Sequence, residues 1–142
     1  MERVGSPDPG SDSPAHDTSR RGVALDRHIT GPEALTELRR WIRTHVAAGP
    51  DTVDDAQLVC TELASNALEH APGPRVVRIT LTEAEFTVEV DDGAPDAPLT
   101  LGTSRLGSIR GRGLLVVNAL GRWGVRRYPA GKTVWATIPL PP

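Results

Sequence analysis

Cys60 is the only cysteine in the 142-residue chain, so neither a disulfide nor a cysteine zinc site can form within one chain. Its place between Val59 and Leu63 predicts a small buried hydrophobe rather than a reactive thiol. Long apolar runs are also missing. No segment approaches the ~20 residues a membrane span needs, and the start of the chain lacks the apolar core of a signal peptide. The expectation is a cytoplasmic protein with no membrane partner. A positive excess is absent too: 16 basic residues face 18 acidic ones, a net charge of -2, which makes direct nucleic-acid binding a poor default. Fifteen of the sixteen basic residues are Arg, a bias that a GC-rich genome produces without selection for guanidinium chemistry.

What is present suffices for one folded unit, since 38% of the residues are hydrophobic. Residues 1–21 are rich in Ser, Pro, Gly and Asp with almost nothing apolar, and cannot repay their ordering entropy. They are expected to form a disordered tail ahead of a domain spanning 22–142. Residues 22–29 alternate as a first strand. Thr30-Gly31-Pro32-Glu33 then has capping-box spacing, and Leu35, Leu38, Trp41, Ile42 and Val46 recur at three-and-four intervals through a helix to about Ala48. Gly49-Pro50 ends it, and Asp51 is placed to cap a second helix whose core stripe is Val53, Ala56, Cys60, Leu63 and Ala67.

After Ala71-Pro72-Gly73-Pro74 the period drops to two. Val77, Ile79 and Leu81 alternate with Arg78, Thr80 and Thr82, and Phe86, Val88 and Val90 alternate with Thr87, Glu89 and Asp91, which predicts two antiparallel strands. Residues 94–110 have little periodicity and read as a functional loop, followed by a short apolar helix over 113–120 and a final hairpin around Pro129-Ala130-Gly131. The fold class is α+β: a two-layer sandwich with helices on one face of a mostly antiparallel sheet. The three tryptophans, Trp41, Trp123 and Trp135, read as core or sheet packing.

Three segments carry chemistry. Glu62, Asn66 and His70 stand at steps of four, so on a helix they look out from nearly one side. An amide beside a carboxylate suits a hydrated Mg²⁺, which takes oxygen ligands and usually brings phosphates. Asp91-Asp92-Gly93 and Gly111-Arg112-Gly113-Leu114 each close an apolar run. Taken singly, the first triad is a solvated helix face and each glycine segment a turn. Together they suggest a nucleotide pocket.

In this order and spacing, Glu62-x3-Asn66, Asp91-x-Gly93 and Gly111-Arg112-Gly113-Leu114 resemble the N, G1 and G2 boxes of the GHKL ATPase superfamily and its Bergerat nucleotide-binding fold. The Glu-x-x-x-Asn-x-x-x-His form, with Arg122-Trp123-Gly124-Val125 and Gly131-Lys132-Thr133-Val134-Trp135 near the end, is similar to small anti-sigma-factor serine/threonine kinases. The resemblance implies ATP and Mg²⁺ as cofactors, with Asn66 as the protein ligand of the metal and Glu62 as the base that takes the proton of an attacking hydroxyl. It implies that His70 lies against the nucleotide, that Asp91 accepts the adenine amino group, and that Gly93 lets the backbone turn close to the base. Gly111, Gly113 and Leu114 would open a phosphate-seating helix, with Arg110 and Arg112 adding charge.

Pro95 departs from the pattern where the G1 box continues to a second glycine, fixing φ and removing an N–H. The implied partners are a sigma factor and the antagonist protein that is phosphorylated, and a homodimer is compatible with the resemblance. The alternative reading is a nucleotide-dependent protein-binding module without phosphotransfer. A histidine-kinase catalytic part is disfavoured, because 142 residues hold no dimerising helix pair with a phosphoacceptor His, unless a separate chain supplies it.

Overall fold

A computed structural model describes residues 23–95 and 117–141. Its elements run β1 (Val23–His28), α1 (Glu33–His45), α2 (Pro50–His70), β2 (Val76–Leu81), β3 (Glu85–Asp92), β4 (Arg122–Tyr128) and β5 (Gly131–Pro139), with a helical turn over 117–120 just before β4. The five strands form one sheet in the order β1-β2-β3-β5-β4, every neighbouring pair antiparallel. The expected α+β architecture is therefore observed. None of the described helices is long and apolar enough to cross a membrane.

Alternation divides the sheet into two faces. Val77, Ile79 and Leu81 of β2, Phe86, Val88 and Val90 of β3, and Val134, Ala136 and Ile138 of β5 point to one side. There they join Leu38, Ile42, Val46, Ala56, Val59, Cys60, Leu63 and Ala67 from the helices in a single buried cluster. The apolar spacing of the two helices thus meets the apolar phase of the strands, the physical reason for a two-layer sandwich. Cys60 lies inside this cluster, and burial pushes its thiol up to about 12, so it packs as a small hydrophobe.

The helix starts differ from the sequence expectation. At α1 the N-cap is Pro32, with no side-chain cap hydrogen bond, so the Thr30 capping box does not form; Ala34 and Leu35 instead donate to the carbonyls of Gly31 and Pro32. The helix also stops at His45, because Val46 turns to an extended conformation and drops into the core. At α2 the cap is Gly49 with Pro50 in the first position, so Asp51 sits in the first turn, where its charge meets the positive helix end without capping it. Residues 1–21, like the central loop beyond Pro95 and the start of the 113–120 helix, lie outside the described residues.

The candidate nucleotide site

The helix α2 carries Glu62, Asn66 and His70, and burial falls along them. Glu62 is 6% exposed at the core margin, Asn66 is half-buried, and His70 in the last turn is exposed, its Nε2 3.4 Å from the Glu69 carboxylate. A buried carboxylate one turn from a half-buried amide is a graded wall: it can meet a ligand while its inner end stays shielded from water. The end of this wall is fixed by Arg75, which the sequence reading passed over. Its Nε donates to the carbonyls of Ala67 and Ala71 at 3.2 and 3.1 Å and its Nη2 to Ala71 at 2.9 Å, placing a cation on the negative end of α2.

Beside that end lies the C-terminus of β3. The Gly93 amide donates to the Pro72 carbonyl at 3.0 Å, and a Cβ on Gly93 would stand 3.0 Å from the Gly73 oxygen. The missing side chain therefore serves a close approach of two protein backbones, joining the end of the candidate helix to the end of the candidate strand.

The two neighbouring carboxylates of β3 have separate fates. Asp91 continues the phase of Thr87 and Glu89 and points to the face away from the helices. There Arg78 grips it in a fork at 2.7 and 2.8 Å, and the Thr133 hydroxyl donates to it at 2.6 Å. Burial pushes its carboxyl up, but the Arg78 and Thr133 hydrogen bonds and the Arg78 and Arg126 charges outweigh that and hold it below the usual range. Asp91, which the resemblance implies as the adenine contact, thus lies on the opposite face of the sheet from the helix that carries Glu62 and Asn66.

Asp92 continues the phase of Phe86, Val88 and Val90 and faces the helix layer. Its Oδ1 accepts the Ala94 amide at 2.8 Å, and both carboxylate oxygens accept from Lys132 Nζ, at 3.1 and 2.9 Å. Lys132 also donates to the Ala94 carbonyl at 3.2 Å, and Arg127, its cross-strand partner on β4, donates to the Pro95 carbonyl at 2.8 Å. Pro95 thus contributes a carbonyl where a glycine would have offered an N–H. The pair is almost fully buried, with side-chain exposures of 5% for Lys132 and 3% for Asp92. Sequence reasoning missed both residues, although the alternation along β3 already carried the signal.

Of the predicted site residues, the structure therefore joins Glu62, Asn66 and His70 on α2 and brings Gly93 against the loop that follows. Arg110, Gly111, Arg112, Gly113 and Leu114 lie outside the described residues.

A family model described as a histidine kinase-like ATPase domain matches residues 7–138. The chain belongs to that family. Membership implies the use of ATP and supports an ATP-binding regulatory role, and the antiparallel sheet with its helix layer is the fold expected of such a domain. No curated protein matches the chain.

The donor set can be tested for Mg²⁺. Among the described residues no group of three His, Cys, Asp or Glu side chains gathers into a metal cage. Mg²⁺ retains water and commonly takes only one or two protein oxygens beside substrate phosphates. The half-buried amide of Asn66, one turn beyond the Glu62 carboxylate, fits that lean requirement.

Proposed function

We propose that this histidine kinase-like ATPase domain is an anti-sigma-factor serine/threonine kinase. It moves the γ-phosphoryl group of ATP to a Ser or Thr of an antagonist protein and alternates between that antagonist and a sigma factor. The observation that carries the reading is Glu62, a carboxylate buried on α2 one helical turn before Asn66. A carboxylate one turn from the proposed metal ligand stands where a general base for an attacking hydroxyl is needed.

In the proposed reaction the acceptor hydroxyl oxygen attacks the γ-phosphorus, the bond to the β-γ bridging oxygen breaks, ADP departs, and the hydroxyl proton passes to Glu62. Asn66 would hold Mg²⁺ through its amide oxygen, and the ion would supply charge neutralisation on the phosphates. Asp92, rather than Asp91, takes the base-reading role, because it is the carboxylate on the helix side of the sheet.

The test is transfer from γ-labelled ATP to candidate antagonists. Glu62→Gln should keep ATP binding and lower transfer by roughly 10²- to 10⁴-fold. Full transfer in that variant would remove Glu62 from the chemistry. No transfer by the parent protein to any cognate antagonist would favour a nucleotide-dependent binding module.

A further inference from the structure

Lys132 is the only lysine in the chain, and it lies buried at the end of the inward row Ile138, Ala136, Val134. An ammonium group offers three donors and no acceptor. All three are used on the same short stretch of chain: Asp92 Oδ1, Asp92 Oδ2 and the Ala94 carbonyl. The Ala94 amide takes a second site on Oδ1. A carboxylate has about four acceptor sites. Among the described residues three are occupied, two on Oδ1 and one on Oδ2, so the remaining one belongs to Oδ2.

We propose that Lys132 is a positioning residue for nucleobase selection: it locks the Asp92 carboxylate so that Oδ2 alone presents an acceptor to an exocyclic amino group. The inference rests on the ATP-binding reading, with Asp92 facing the base. Its physical content is preorganisation. A carboxylate held by one ammonium and one amide cannot turn its acceptor to the N1–H that a 6-oxo purine carries beside its carbonyl, and the mismatch leaves a buried acceptor facing an acceptor. The cation also neutralises a charge that would otherwise sit in the core without a counterion. Because the same ammonium holds the Ala94 carbonyl, the acceptor and the first residues after β3 are fixed as one unit.

The test compares calorimetric affinities for ATP and for inosine triphosphate, which carries a carbonyl where adenine carries its amino group. The parent should prefer ATP by about tenfold or more, the worth of one buried hydrogen bond. Lys132→Met should bring the ratio to within about threefold of unity. Asp92→Asn should change the ratio by itself, and Asp92→Asn combined with Lys132→Met should match Asp92→Asn alone, because Lys132 acts through Asp92.

If Asp92→Asn keeps the parental ratio, the base-reading role of Asp92 fails. If Asp92→Asn changes the ratio and Lys132→Met does not, Asp92 reads the base and Lys132 serves stability alone, which overturns the proposal. Should Lys132→Met fail to fold, Lys132→Gln, which keeps a donor but no charge, takes its place. It should show a ratio between those of the parent and Asp92→Asn, and a fully parental ratio there would equally overturn the idea.

Discussion

Asp91 and Asp92 are neighbours in one strand, and almost everything that distinguishes them follows from which way a β-strand points successive side chains. Asp91 stands on the outer face with about a third of its side chain exposed (34%), among Arg78, Thr133, Arg126 and Glu89. Asp92 stands on the inner face in an almost fully buried pair with Lys132. Both carboxylates meet a cation at under 3 Å. The outer pair is screened by water and salt, and other charges nearby share its load. Among the described residues the inner pair has no such relief, and each member is tolerable in the core because the other is there. The same chemistry therefore serves as a surface brace on one side of the sheet and as a fixed polar element beside the candidate site on the other.

The comparison breaks most visibly when one partner of each pair is deleted. Asp92→Ala leaves the Lys132 ammonium buried without its counterion and should cost about 3–5 kcal/mol of folding stability, whereas Asp91→Ala should cost about 1 kcal/mol or less. Denaturant unfolding of the two variants checks the contrast, and equal losses would mean that the inner pair reaches water. A smaller effect comes from crowding the inner pair without touching its charges. A Cβ on Gly131 would fall 2.1 Å from the Asp92 carbonyl oxygen, so Gly131→Ala must push β5 away from β3 beside Lys132. The expected loss is roughly 1–3 kcal/mol. A melting temperature equal to the parent's would show that the strand ends can separate freely.

These contrasts also mark how far the sequence could be read. Helical spacing in Leu38, Ile42, Ala56, Cys60 and Leu63, and alternation from Val77 to Val90, were enough for the layer order and the sheet, because burial of those side chains is the driving force of the fold. The helix stripe of Glu62, Asn66 and His70 was legible for the same reason: one long helix fixes relative directions over many residues.

Two kinds of feature were not legible. Thr30 and Asp51 read as side-chain caps, but the helices start at Pro32 and Gly49 with no side-chain cap hydrogen bond, using backbone carbonyls and prolines instead. The motif points to Asp91, two places before Gly93, whereas the alternation of β3 puts Asp91 on the outward phase and Asp92 on the inward one. The Lys132 partnership joins residues 40 positions apart, which local spacing cannot express. Arg75 was missed because its role depends on a chain reversal that brings it back onto the helix end.

The smallest effect is the sharpest test of the two-face argument. Asp91→Asn should leave ATP affinity and the preference for ATP over other nucleotides unchanged, because the side chain lies across the sheet from the helix that carries Asn66. Its effect should appear in the acid dependence of stability. The Asp91 carboxyl is held below its ordinary value in the folded chain, so it contributes stability that is fully present above the unfolded value of about 3.9 and is lost as the pH falls through the folded one. The stability gap between parent and Asp91→Asn should therefore be about 1 kcal/mol at neutral pH, shrink below about pH 4, and narrow further in ~1 M salt. Unfolding midpoints at several pH values measure it. A gap independent of pH would mean that Arg78 does not grip the ionised carboxylate, and a changed nucleotide preference would return Asp91 to the site.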